Sequence, residues 1–257
     1  MVVLGIDSSG LTASAALLSK EVVLAEISVH HKKTHSETLL PMVEELFQRT
    51  GLTPQDVDVL AVAAGPGSFT GLRIGAATIK GLGLALDKPV AAVPTLEALA
   101  WNAAGAAELV VPMMDARRSE VYAAVYRMPV AGAVAAGRNN TSANGEDSKT
   151  KRLLPEEVLP GEALPAAELA EKLNALGEPV LLLGDGVDAT REILEATLKI
   201  PYRFAPIHQN RQRAASVASL GLLYAEEGRL VSSDDFEPIY LRKSQAERVR
   251  EENARKA

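Results

Sequence analysis

Cysteine is absent from the 257-residue chain, which removes disulfides, thiolate catalysis and cysteine metal sites from consideration. Aromatic residues make up only 4%, with one tryptophan, so a core must be filled mainly by aliphatic side chains. The longest apolar runs, residues 82–86 among them, fall far short of a membrane span. No basic segment followed by an apolar stretch opens the chain before Asp7, so no signal peptide is expected and the cytoplasm is the expected compartment. A basic face is missing too. The net charge is −6, which argues against binding nucleic acid alone, because neutralising phosphates takes a surplus of Lys and Arg. Residues 242–257 are locally basic, with six Lys/Arg against three Glu; mixed signs at helical spacing read as a solvated helix or a frayed tail.

What is present is a chain of short apolar runs separated by polar turns. "VVLGIDSS" (residues 2–9) reads as a strand ending on an aspartate, followed by two more strand-like runs joined at Lys20–Glu21. "HSETLLPMVEELFQRTG" (residues 35–51) reads as a helix with Ser36 as N-cap and Gly51 as C-terminal cap, and Pro41 places its regular part near Leu40. "VDVLAVAAG" (residues 57–65) lacks alternation, as a strand covered on both faces does. A helix and a short strand follow, giving an α/β unit with a mixed sheet.

The second half echoes the first: "LVVPMMDARRSEVYAAVYR" is again strand, aspartate, turn, strand. The chain divides into residues 1–104, joined by a helix at 213–228, and a smaller half at 105–212. Residues 128–151 are rich in Gly, Ala, Asn, Ser and Thr and contain no aromatic residue, a composition expected to give a disordered surface insertion. Residues 243–257 form a charged tail.

"GPGSFTGLRIG" (residues 65–75) has the look of a phosphate loop. It fails the Walker pattern, since three residues separate Gly67 from Gly71 and Leu72 follows. It also fails the G-x-G-x-x-G pattern. Two readings remain open. Gly65 and Gly67 expose N–H groups that a helix N-terminus reinforces for an anion, or they only close a sharp turn capped by Ser68 or Thr70. The helix behind it, residues 70–86, has one apolar face of Leu72, Ala76, Ile79, Gly83 and Leu86. A second face of Gly71, Gly75, Thr78, Leu82 and Ala85 is made largely of small residues. Glycine costs roughly 1 kcal/mol in a helix relative to alanine, and close approach of another helix is one reason to carry it. That helix belongs either to a neighbouring chain or to the second half of this one.

"LGIDSS", "HSETLLP", "GPGSFTGLRIGAATIKGLG", "PTLEALA", "MMDARRSEVYAAVY", "GDG" and "PIYLR" occur in this order. Together they resemble the TsaB (YeaZ) family of bacterial factors for threonylcarbamoyladenosine at tRNA position 37. The resemblance runs from residue 1 to about 242, apart from 128–151. It implies an actin-like (ASKHA) fold of two RNase H-like halves with mixed sheets flanked by helices. It implies a non-catalytic role beside a catalytic paralogue, TsaD, and an ATPase, TsaE, for tRNAs reading ANN codons. It also implies pairing through the helices at 35–50 and 70–86, with Leu39, Val43, Leu46, Gly71, Gly75, Thr78 and Leu82 as interface, and a homodimer when alone. RNA would be met through the complex, no membrane is involved, and ATP or ADP would belong to the complex interface rather than to this chain.

The paralogue binds metal through an H-x-x-x-H pair whose positions correspond to Thr95 and Leu99 here. Leucine cannot ligate and a neutral threonine hydroxyl is a poor substitute, so no metal is expected. His31 and His35 have the same spacing but precede the glycine loop, with no carboxylate to support them. An older glycoprotease label of the superfamily has no residue pattern to stand on here. The alternative function is an independent actin-like ATPase or small-molecule kinase. In it Asp7, Ser8 and Ser9, with Gly65 and Gly67, would form a vestigial or working phosphate site, and Asp115 or Asp185 would position Mg²⁺ near the "GDG" turn.

Overall fold

The computed structural model describes residues 1–30, 34–129 and 154–242. The expected insertion at 128–151 and the tail at 243–257 therefore lie almost wholly outside the described residues, as does His31. Among the described residues ten strands form two five-stranded sheets. The first contains β1 (Val2–Asp7), β2 (Thr12–Ser19), β3 (Val23–His30), β4 (Val59–Gly65) and β5 (Val90–Pro94), in the order β3-β2-β1-β4-β5. The second contains β6 (Leu109–Arg117), β7 (Glu120–Arg127), β8 (Glu156–Pro165), β9 (Val180–Leu183) and β10 (Tyr202–Phe204), in the order β10-β9-β6-β7-β8.

The two orders are one pattern used twice. In each half three strands meander antiparallel, and two later strands join parallel on the other side of the first. This is the duplicated RNase H-like arrangement of the actin-like class. The parallel strands inside each sheet, β4 and β9, carry no polar side chain because both their faces are covered: every residue of each is buried.

The α-helices among the described residues are α1 (His35–Thr50), α2 (Phe69–Leu86), α3 (Thr95–Trp101), α4 (Ala166–Leu176), α5 (Asp185–Thr197) and α6 (Ala214–Glu226). On the outer face of the first sheet, α1 and α2 bury Leu39, Met42, Val43, Leu46, Phe47, Ala76 and Ile79 against Leu4, Ile6, Leu60 and Val62. On the outer face of the second, α4 and α5 bury Leu169, Leu173, Val187 and Leu194 against Val111, Val121 and Leu182. Between the sheets lie α3 and α6. Their Leu96, Leu99, Val217, Leu220 and Tyr224 share one cluster with Val3 and Ala61 of the first sheet and Val110, Met114 and Leu183 of the second. The halves therefore share a core.

Helix α1 departs from expectation at its start. It begins at His35 with Thr34 at the N-cap and runs through Pro41, rather than becoming regular near Leu40 with Ser36 as cap. Pro41 is tolerated because it lies on the exposed side, where the carbonyl left without an N–H can be hydrated. At the other end Gly51 caps the helix in the left-handed region, φ 71°.

Candidate functional site

The site most open to a functional reading is where the ends of β1 and β4 meet the start of α2. Asp7, Ser8 and Ser9, which end β1 and follow it, are all buried. The Asp7 carboxylate accepts both the backbone N–H of Ser9 at 2.9 Å and its hydroxyl at 2.6 Å. Burial nevertheless raises the Asp7 carboxyl to about 6, the bonds from Ser9 opposing the shift and nearby Asp185 adding to it.

The loop "GPGSFTG" closes over this segment. Ser68 N–H donates to the Ser9 carbonyl at 2.6 Å, and Gly67 sits directly against that carbonyl. The Ser8 hydroxyl donates to the Gly71 carbonyl at 2.9 Å. Gly71 N–H goes to the Ser68 side chain at 3.3 Å, making Ser68 the cap of α2, and Gly65 N–H goes to the Thr95 hydroxyl at 3.0 Å. Asp7, Ser8, Ser9, Gly65 and Gly67 are thus brought together as the sequence suggested. The Ser8 hydroxyl, the Ser9 N–H and hydroxyl and the Gly65 N–H are spent within this cluster and on Gly71 and Thr95.

Gly71 and Gly75 have a clear reason to be glycine. A Cβ on Gly71 would strike the Ser8 carbonyl, and one on Gly75 would lie 2.5 Å from the Ser8 hydroxyl. The N-terminal part of the small-residue face, Gly71 and Gly75, therefore packs on the chain's own Ser8, while Ala85 at its far end is exposed. This corrects the expectation that Gly71 and Gly75 face a partner. Leu39, Val43 and Leu46 are likewise inside the core beneath α1, because the same periodicity that makes a helix face apolar also serves the sheet under it. Thr78 and Leu82 are half-buried. The surface that α1 and α2 leave to solvent includes Leu40, Pro41 and Glu44 on one helix and Arg73, Ala77, Gly81, Leu84 and Ala85 on the other. Leu84 is 73% exposed, and a Cβ on Gly81 would meet nothing.

Thr95 and Leu99 are both buried in α3. Thr95 holds Gly65, and Leu99 packs in the core between the sheets against Gly184. His35 gives its ring nitrogen to the Gly10 carbonyl at 2.7 Å. Among the described residues no three His, Asp or Glu side chains are grouped to hold a metal. Asp185 opens α5 and accepts the Asp115 N–H at 3.2 Å, and burial raises its carboxyl.

One participant had no role assigned from sequence: the C-terminal strap at 231–242. Val231 pairs with Val90 at the edge of β5, Phe236 is buried, and Ile239 N–H reaches the Ala64 carbonyl at 2.6 Å. Gly65, at φ 120°, lies against the Ile239 carbonyl; a side chain there would collide with the strap as well as strain the backbone. Tyr240 packs against Phe69 with ring centroids 4.8 Å apart and the planes tilted by 40°, and Arg73 lies over Phe69 at 4.0 Å. Arg242 then crosses to the other half, donating to the Ala116 carbonyl at 3.0 Å and pairing with Glu120. Only the motif "PIYLR", apolar residues closing on an arginine, marked this segment in the sequence.

The sequence matches, over residues 21–249, a family model described as TsaD, tRNA N6-adenosine threonylcarbamoyltransferase. It is 33% identical over 247 residues to the tRNA threonylcarbamoyladenosine biosynthesis protein TsaB of Bacillus subtilis, covering 96% of each chain. The chain belongs to the TsaB (YeaZ) family. The TsaB of Escherichia coli is 37% identical over 130 residues, 49% of this chain and 55% of that protein. Two solved structures from Pseudomonas aeruginosa agree with this membership. YeaZ superposes with a TM-score of 0.71 at 27% identity, over 93% of this chain and 99% of that one. A protein described as similar to peptidase YEAZ superposes at 0.74 and 26%, over 94% and 99%. The TsaB family resemblance thus extends through both halves.

Proposed function

We propose that this chain is a non-catalytic subunit in the formation of threonylcarbamoyladenosine at position 37 of tRNAs reading ANN codons. It pairs with a TsaD-like catalytic subunit and a TsaE-like ATPase. The names of its TsaB relatives support the pathway. The observation that carries the non-catalytic role is the sealing of the β1 loop. A phosphate bound between Asp7–Ser9 and the glycine loop would compete for the N–H groups of Ser9, Gly65, Ser68 and Gly71, which here serve Asp7, Thr95, Ser9 and Ser68. It would also sit beside the buried, desolvated Asp7 carboxyl, and Leu99 fills a position where the paralogue has a metal-binding histidine. An independent ATPase or kinase would need that loop open. ATP or ADP therefore belongs to the interface of the assembly in this reading.

Docking then falls to the outward side of α1 and α2, where Ala77, Gly81 and Leu84 give a low, apolar stripe suited to close approach of a partner helix. The same stripe supports self-association when the partner is absent. Gly81→Arg tests this, because the position opens to solvent and the change leaves the core untouched. The variant is expected to fold with an equal or slightly raised melting temperature, since arginine is a better helix former than glycine, and to lose co-elution with the catalytic subunit. Reconstituted tRNA modification with each component omitted in turn is expected to stop without this chain. ATP turnover by the isolated chain at rates matching the assembly would refute the reading.

A further inference from the structure

The hairpin between β6 and β7 is unusual. Arg117, Arg118 and Ser119 follow one another with φ of 68°, 57° and 58°. Tight hairpins of this kind need positive φ at their central positions and ordinarily take Asn or Gly there. Three successive residues with a Cβ in the left-handed region are strained, and such strain persists only where surrounding contacts over-determine it.

Those contacts are present. Asp115 accepts the Arg117 N–H at 2.8 Å and lies 3.3 Å from its guanidinium. Asp115 is itself tied to Asp185 through its N–H. The Ser119 carbonyl accepts Ala166 N–H at 3.1 Å. From the strap, Arg242 holds the Ala116 carbonyl and pairs with Glu120. The turn is clamped on each side, while its tip points to solvent: Arg117, Arg118 and Ser119 are all exposed. Arg118 has no ion-pair partner among the described residues.

We propose that this turn is a phosphate contact for the tRNA backbone, made by Arg118 with help from Arg117 and Ser119. The inference rests on the reading of the chain as a subunit of a tRNA-modifying assembly. The tip offers guanidinium forks and a hydroxyl, the donors that recur on phosphodiester oxygens, and no apolar anchor of the kind that dominates protein interfaces. Overall charge of −6 keeps the chain from binding RNA alone, so the turn adds a contact to RNA already held by the assembly. A clamped turn presents the guanidinium with little further ordering on binding.

The residue type and the turn conformation can be separated. Arg118→Asn removes the charge and puts at φ 57° a residue that tolerates it. The measurement is binding of an unmodified tRNA transcript to the assembled subunits across a salt series. Arg127→Gln, at the far end of β7, is the control, and assembly is followed by light scattering. With Arg118→Asn the melting temperature is expected to stay level or rise, and assembly to be unchanged. tRNA affinity is expected to fall about tenfold, with a salt dependence shallower by roughly one unit of slope. Arg118→Lys is expected to recover the slope but only part of the affinity.

Wild-type tRNA affinity and slope in Arg118→Asn would overturn the proposal, as would a defect equal to that of Arg127→Gln. Loss of assembly would overturn it in favour of a protein contact, and an altered affinity for free ATP in favour of a nucleotide site. Failure of the wild-type chain to assemble, or modification without it, would instead strike the subunit reading itself.

Discussion

The Ser8 hydroxyl hydrogen-bonds to the carbonyl of Gly71, 63 residues away, at 2.9 Å, locking the β1 loop onto the first turn of α2. The glycines of that helix are therefore of two kinds. Gly71→Ala drives a methyl into the Ser8 carbonyl and is expected to cost about 1–3 kcal/mol by overpacking. Gly81→Ala meets open space and is expected to gain about 0.5–1 kcal/mol of helix propensity. Gly75→Leu is expected to destabilise the fold, because it reaches Ser8 before any partner. Urea unfolding of the three variants gives the comparison, and equal effects at Gly71 and Gly81 would contradict the packing described.

Asp7 makes stability depend on pH. Its carboxyl is raised from 3.8 to about 6 by burial, so the folded chain holds the proton more tightly than the unfolded one. Its contribution is present in full below about pH 4 and is lost as pH rises through about 6. Asp7→Asn keeps an oxygen to accept from Ser9 and removes the buried charge. It is expected to stabilise the protein by roughly 1–3 kcal/mol at pH 7.5 and by little at pH 4. Thermal unfolding at the two pH values checks the sign, and a variant less stable at pH 7.5 would refute it.

Tyr224 donates its hydroxyl to the buried Glu97 at 2.7 Å between α6 and α3. Desolvation raises the Glu97 carboxyl, and this bond opposes the rise. Tyr224→Phe removes that opposition, so the loss of stability, about 1–3 kcal/mol, is expected to be larger at pH 8 than at pH 5. A pH-independent loss would mean that Glu97 titrates without regard to Tyr224.

Arg242 anchors the strap to the second half through Ala116 and Glu120. Arg242→Gln is expected to release the strap end, seen as faster hydrogen exchange at Ile239 and Gly65 with β9 unchanged. Uniform acceleration throughout the chain would mean that Arg242 supports the whole fold rather than the strap.

Much of this molecule was legible in its sequence. Apolar runs ending on aspartates marked β1 and β6, the unalternating run at 57–65 marked a strand covered twice, and Gly51 marked the end of α1. The repeated strand–aspartate–turn–strand pattern foretold two sheets of one topology. The motif set identified the family. Local composition and period carry such information because strands and helices answer to their own residues and the environment just around them.

The direction in which a small or apolar face points was not legible. Leu39, Val43, Leu46, Gly71 and Gly75 have the spacing of an interface, and the same spacing serves a sheet and a loop lying underneath. Whether the glycine loop stood open to a phosphate depended on where its N–H groups found acceptors, and these lie on Ser9 and Thr95, far along the chain. The strap, the clamp on the Arg117–Ser119 turn and the shared core between the sheets are likewise contacts between residues distant in sequence. A one-dimensional pattern states what a face is made of; only the packed chain decides what that face touches, because long-range contacts, not local propensities, bury it.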